Sequence, residues 1–184
     1  MQIPKLYLIF GIIVTLTFPL LLHPKSQALA QEQFLTYENP ELGISIQYPS
    51  NWEKLVSLDN FVTFTAPPET DTRIYPAALG LKIQELSSQN IPLQEITKVQ
   101  MSDLKKSNPD LNVLESTSST IADKPAHKIV FSAIDNKKVE RKAMQVWTVI
   151  GHKAFLITYK AEPDKFSRYL PTIERMIDSF KVIE

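Results

Sequence analysis

Two consecutive stretches near the C-terminus are apolar on both faces when read at strand periodicity. In Lys142 to Ile150, Met144, Val146 and Ile150 fall on one side and Ala143, Trp147 and Val149 on the other. In Ala154 to Tyr159, Phe155, Ile157 and Tyr159 oppose Ala154 and Leu156. A strand with two apolar faces belongs in the middle of a sheet that is covered on both sides. The run from Ala126 to Lys160 therefore reads as three consecutive strands, with Asp135-Asn136 and Gly151-His152 as turn residues. Strands joined by tight turns are antiparallel neighbours.

The cover comes from two amphipathic helices. Pro92 suits the first position of a helix, and Leu93, Ile96, Met101 and Leu104 then share an arc of about 140°. Lys105 and Lys106 favour its C-terminal end, near Ser107, and Pro109 prevents continuation. In the closing segment Phe166, Tyr169, Leu170, Ile173, Met176, Ile177 and Phe180 recur at steps of three and four, one continuous apolar stripe. Pro171 interrupts it, lacking the donor for the Ser167 carbonyl, so a kink or break is expected between Tyr169 and Pro171. Upstream, Gly43 to Tyr48, Phe61 to Ala66 and Ala77 to Leu86 alternate as strands, the last placing Leu79, Leu81 and Ile83 opposite Lys82 and Gln84. The expected architecture is an α+β domain, an α/β/α sandwich around a mainly antiparallel sheet.

The N-terminus belongs to a different class of segment. Leu6 to Leu22 is seventeen residues without a charge, preceded by Lys5 and ended by Pro19, His23, Pro24 and Lys25. Ala28-Leu29-Ala30 then supplies the small-x-small pattern of signal peptidase, with cleavage expected after Ala30. Residues 1–30 are read as a signal peptide and 31–184 as one domain; an uncleaved anchor is the alternative, at the short end of what spans a bilayer. No Arg-Arg pair precedes the apolar run, which favours export of an unfolded chain. Either reading puts the domain outside the cytoplasm.

The whole chain balances 20 basic against 20 acidic residues, but removal of Lys5 and Lys25 leaves 18 against 20 on 154 residues. That slight acidity argues against a polybasic nucleic-acid binder. The length is enough to bury about 68–70% of the extended chain's surface in one core. The absence of cysteine excludes disulfides, thiolate metal sites, a cysteine nucleophile and an acylated lipoprotein cysteine. Three glycines in the mature chain (Gly43, Gly80, Gly151) leave no phosphate-cradling loop and no dinucleotide fingerprint.

No catalytic residue is nominated. Gly43-Ile44-Ser45-Ile46-Gln47 lacks the second glycine of a nucleophile elbow, and Ser45 reads as a solvated strand residue. His127, four residues after Asp123 at a strand start, and His152, in a hairpin turn, form no helical ligand pair. Glu69 and Asp71, in the polar loop that follows Pro67-Pro68, offer oxygens to a weak calcium site without the alternating ligands, central Gly and closing Glu of a dedicated loop. Glu69, Asp71 and His127 are thus weak metal candidates only, and a solvated loop or an exposed histidine is the simpler account of each. Lys137-Lys138 and Arg141-Lys142 gather at one hairpin end. Tyr48-Pro49-Ser50-Asn51-Trp52 brackets a turn with aromatics, an arrangement that more often staples a core than holds a ligand.

The order of these segments carries a resemblance. An aromatic opening strand (Phe34 to Tyr37), the Gly43 to Trp52 stretch, Val62-Thr63-Phe64, the helix from Pro92 to Lys106, strands ending in Thr158-Tyr159 and a helix closing on Asp178-Ser179-Phe180 together resemble the PsbP-like family, across residues 34 to 182. The resemblance implies an α/β/α sandwich. It includes extrinsic lumenal subunits of photosystem II that help retain calcium and chloride, cyanobacterial lipoproteins, secreted prokaryotic proteins and a fold relative that binds the Ran GTPase. The chain departs from the lipoproteins in having no cysteine, and from the plant form in lacking a transit segment.

The expected function is that of an exported, non-catalytic module without a resident cofactor. It docks on an extracytoplasmic or membrane-bound protein complex, with peripheral membrane association and no nucleic acid. One alternative is a photosystem II extrinsic subunit in a thylakoid lumen with weak Ca²⁺ binding, the ion being implied by resemblance alone. Another is a secreted small-ligand or metal-binding protein.

Overall fold

The computed structural model describes residues 32–57, 59–68, 76–88, 91–135 and 138–183, within one compact unit that spans 32–184. Its elements in chain order are β1 (Phe34–Asn39), β2 (Ile44–Pro49), β3 (Glu53–Ser57), β4 (Phe61–Thr65), β5 (Ala78–Glu85), α1 (Leu93–Ser107), β6 (Asn112–Ile121), β7 (Lys124–Ile134), β8 (Glu140–Ile150), β9 (Lys153–Ala161), α2 (Pro163–Asp178) and β10 (Lys181–Val182). Seven strands form one antiparallel sheet in the order β3-β4-β5-β9-β8-β7-β6. The two strands with double apolar faces, β8 and β9, are neighbours in its interior, as their composition demands.

The two faces of β8 and β9 feed two different cores. Ala143 and Trp147 join Ile129, Phe131 and Ala133 of β7 beneath Ile96 and Leu104 of α1. Met144, Val146, Phe155, Ile157 and Tyr159 face the other way, onto Phe166, Ile173 and Met176 of α2. The expected layering is therefore present, with one addition. Phe34 to Asn39, Ile44 to Pro49 and Lys181–Val182 form a separate three-stranded sheet, β1-β2-β10. Ile44 and Ile46, fully buried, and Tyr48 pack into the same core as α2. The alternating strand around Gly43 thus covers the main sheet with its face instead of extending it at an edge.

Hairpin geometry follows local chemistry in one case and departs from it in another. Ile150 pairs directly with Lys153, so Gly151-His152 is a two-residue loop, and Gly151 takes φ +63°. A positive φ at the first central residue is what glycine supplies at no steric cost. The hairpin expected at Asp135-Asn136 is longer. Ile134 pairs with Glu140, leaving five residues between them, of which Asn136 and Lys137 lie outside the described residues. Lys138 donates its backbone N–H to the Asp135 carbonyl at 2.9 Å and itself adopts φ 60°. A left-handed conformation costs an ordinary L-residue about 1–2 kcal/mol. Since Lys138 is exposed, Lys138→Gly is expected to raise stability by about 0.5–1 kcal/mol in urea unfolding, net of glycine's extra chain entropy. A decrease would show that the lysine side chain holds this loop.

Helix α2 runs unbroken from Pro163 to Asp178 through Pro171, so of the expected kink or break the break does not occur. Pro171 and Ser167 both lie on the solvent side. The carbonyl that loses its helical donor can be hydrated there, and the apolar stripe opposite holds the segment in place. The first helix begins at Leu93 with Pro92 as its N-cap, and Asn108 closes it by donating both its backbone N–H (3.0 Å) and Nδ2 (2.9 Å) to the Leu104 carbonyl.

Candidate functional site

Helix α1 lies over β7 and β8, and beyond Leu156, which packs against its core, the same face of β9 and β5 carries the exposed Lys160, Lys82 and Gln84. Between α1 and these residues lies a cleft of about 460 Å³. That is within the roughly 300–1,000 Å³ of small-ligand pockets. The strand register lays out its floor in three rows. Lys82 of β5 stands beside Leu156 of β9, which stands beside Trp147 of β8. The next row is Gly80, Thr158 and Gln145, and the third is Ala78, Lys160 and Ala143. Ile96, Gln100, Asp103 and Leu104 of α1 form the overhanging wall.

The middle row is covered at its β5 end by an aromatic ring. At Gly80 an added Cβ would stand 2.9 Å from the ring of Phe61, so only glycine lets that ring lie against the strand. Phe61 is also the register partner of Lys82, which places an aromatic beside one cationic end of the cleft.

Trp147 anchors the inner end. It is 1% exposed, its indole N–H donates to Thr97 Oγ1 of α1 at 2.9 Å, and the ring of His127 stacks on it at 5.0 Å. The polar wall is internally paired in part. Arg141 Nε donates to Asp135 Oδ2 at 3.1 Å and its Nη1 lies 3.6 Å from Glu162; Asp103 lies 3.8 Å from Lys106. Lys82 and Lys160 have no ion-pair partner among the described residues. The cleft therefore combines an apolar inner end with two uncompensated cations at its open side.

The residues singled out from sequence are dispersed. His127 sits in β7, three residues past the strand start, and its Nε2 is 3.0 Å from Ser116 Oγ. His152 faces Glu85 at 3.1 Å on the other side of the sheet's length. No group of three or more His, Cys, Asp or Glu residues is placed to hold a metal ion among the described residues. Glu69 and Asp71, like Ala28 and Ala30 of the expected cleavage site, lie outside the described residues.

Ser45 is corrected. It is buried, because β2 is the central strand of its sheet and Glu38 of β1 and Lys181 of β10 flank it in register. Arg141 and Lys142 do not form an open basic patch: Arg141 is held as above, and Lys142 Nζ lies 4.7 Å over the ring of Phe166. Tyr48 and Trp52 do staple the core, on Phe64 (4.8 Å) and Tyr169 (6.0 Å) respectively. The cleft itself escaped sequence reading. Its only trace was Lys82 and Gln84 opposite the apolar face of β5, which looks like any solvated strand.

Comparison with known proteins accords with this layering. The chain matches the PsbP-like protein family model over residues 22–182. Among solved structures it is similar to cyanobacterial PsbP (CyanoP) from Synechocystis sp. PCC 6803, with a TM-score of 0.63 and 17% identity over 84% of this chain and 95% of that one. It is similar to LpqN, involved in cell envelope biogenesis of Mycobacterium tuberculosis, with a TM-score of 0.65 and 16% identity over 84% and 91%. The Saccharomyces cerevisiae Ran-binding protein Mog1p gives a TM-score of 0.59 and 9% identity over 84% and 97%. A sequence search of the curated proteins finds no match. At these identities the solved structures speak for the fold, and the family model, matching most of the chain, places the protein in the PsbP-like family.

Proposed function

We propose that this PsbP-like protein is an exported, non-catalytic accessory module that docks on an extracytoplasmic or membrane-bound protein complex. The observation that carries the reading is the family match across nearly the whole domain, behind an apolar leader ending in Ala28-Leu29-Ala30. The neighbours support it: one is described as involved in cell envelope biogenesis and another as Ran-binding. The sheet edge supports it too. Every residue of β3 is exposed, with Leu55 at 67% and Val56 beside it, a strand edge able to pair with another chain. The likeness to CyanoP favours, as a second reading, an extrinsic photosystem II subunit in a photosynthetic host.

The test is affinity capture of the tagged protein from solubilised host membranes after mild cross-linking, with N-terminal sequencing of the captured chain. A mature start at Gln31 and a stoichiometric membrane or envelope protein partner are expected. A chain beginning at Met1 in the cytoplasmic fraction, recovered alone, overturns the proposal. Recovery of photosystem II subunits selects the second reading.

A further inference from the structure

We infer that the cleft between α1 and the β5-β9-β8 face is a binding site for a small organic anion, with Lys82 and Lys160 receiving the anionic group and the inner apolar end receiving the rest. The inference does not depend on the docking partner proposed above, since it concerns a different surface and a different class of ligand.

The charge balance inside the cleft points to the sign of the ligand. Three cations line it, Lys82, Lys160 and Arg141, against two acids, Asp103 and Asp135. Asp135 is engaged by Arg141 at 3.1 Å and Asp103 lies 3.8 Å from Lys106, so the acids are compensated locally. What remains is the pair of lysines. Lys160 is the register partner of Ala78, four residues before Lys82 on the same face of β5. The two Cα positions are therefore separated by roughly 13 Å along the sheet. Each side chain is long and flexible, and both can lean across Thr158, beside the Phe61 ring that covers Gly80, toward one anion. Both ammonium groups are exposed, which leaves them free to reorient at little desolvation cost.

The inner end decides that the ligand is organic. Leu156, half-buried, presents its apolar surface there with the buried Trp147, Ile96 and Leu104 behind it, and Gln100 and Gln145 offer amide donors and acceptors along its length. Inorganic phosphate would engage the lysines and leave this surface wet, whereas an anion carrying an aromatic or aliphatic body would cover it. A phosphate ester and a carboxylate share the required chemistry.

The experiment is calorimetric titration of the protein, purified from its host, with 1-naphthyl phosphate, 1-naphthoate, uncharged 1-naphthol and inorganic phosphate. Binding by one or both naphthyl anions is expected, at least tenfold tighter than by 1-naphthol or by inorganic phosphate; the ranking of the two anions says which headgroup the site prefers. Lys82→Gln and Lys160→Gln are each expected to weaken that binding about fivefold, the size of a partly screened ion pair. Both lysines are exposed, so neither substitution should move the melting temperature. Lys98→Gln, exposed on α1 away from the cleft, controls for net charge and should leave affinity unchanged. Equal binding of 1-naphthol and the anions, equal losses in all three variants, or no heat with any of the four probes would overturn the assignment.

Discussion

Trp147→Ala is expected to lower the unfolding free energy by about 3–5 kcal/mol, the usual cost of emptying a large aromatic site in a core. Trp147 is essentially fully buried and is the largest side chain in the core beneath α1. Its removal takes away three things at once: the packing that Ile96 and Leu104 rest on, the stacking partner of His127 and the donor to Thr97 Oγ1. For a domain of this size the melting temperature should fall by roughly 10 °C. Trp147→Phe separates the contributions, because it keeps most of the ring and loses the 2.9 Å hydrogen bond, at a cost of about 1–2 kcal/mol. Urea unfolding followed by far-ultraviolet circular dichroism measures both variants without relying on tryptophan emission. A loss below 1 kcal/mol for Trp147→Ala would mean that α1 is held by something other than this contact.

Tyr159→Phe tests the opposite core, through pH. Tyr159 is fully buried, its ring packs on Phe166 at 4.7 Å and its hydroxyl donates to the Phe166 carbonyl at 2.9 Å. Burial, and to a lesser degree the neighbouring Tyr169 phenol, push its ionisation well above the ordinary tyrosine value. At pH 8 both folded and unfolded phenols are protonated, and the variant should be less stable by about 1–2 kcal/mol through the lost hydrogen bond. As pH rises past about 10 the unfolded phenol ionises while the folded one keeps its proton. The native state then binds more protons than the unfolded state, so the stabilisation Tyr159 contributes declines as pH climbs further. The remaining tyrosines are common to both proteins and cancel. The gap between wild type and Tyr159→Phe should therefore be constant from pH 7 to 9 and narrow from pH 10 to 11 in urea titrations. A gap that stays constant to pH 11 would show that the hydroxyl is not protected in the folded state.

Sequence and structure agree most closely where side-chain burial dictates backbone form. Trp147 and Val149 on one side of β8, with Met144 and Val146 on the other, require cover on both faces, and both covers are present. The closing stripe from Phe166 to Phe180 requires a helix against a sheet, strongly enough to carry Pro171 through without a break. Strands formed by pairing alone left no such trace. All of β6 (NVLESTSSTI) but Ile121 is exposed or half-buried, and β3 is exposed throughout. Both are strands because β7 and β4 offer them hydrogen bonds, and that information resides in the partner. The Ala122-Asp123 turn that joins β6 to β7, with φ values of 49° and 58°, uses neither Gly nor Asn. Asp123, a residue type that tolerates the left-handed region, is its one partial signature.

The candidate site divides in the same way. Each of its parts was visible as a residue type: an alternating Lys82, a lysine at the end of β9, a tryptophan inside a two-faced strand. Their convergence was not, because it depends on β5 pairing with β9 across about seventy residues of chain and on α1 lying over β7 and β8. By itself the sequence determined the layers and the absence of thiol chemistry, since each follows from local periodicity or composition. Only the tertiary structure decided which strands α1 covers and which cations beside it lack partners. Those are properties of long-range register, and no local pattern records them.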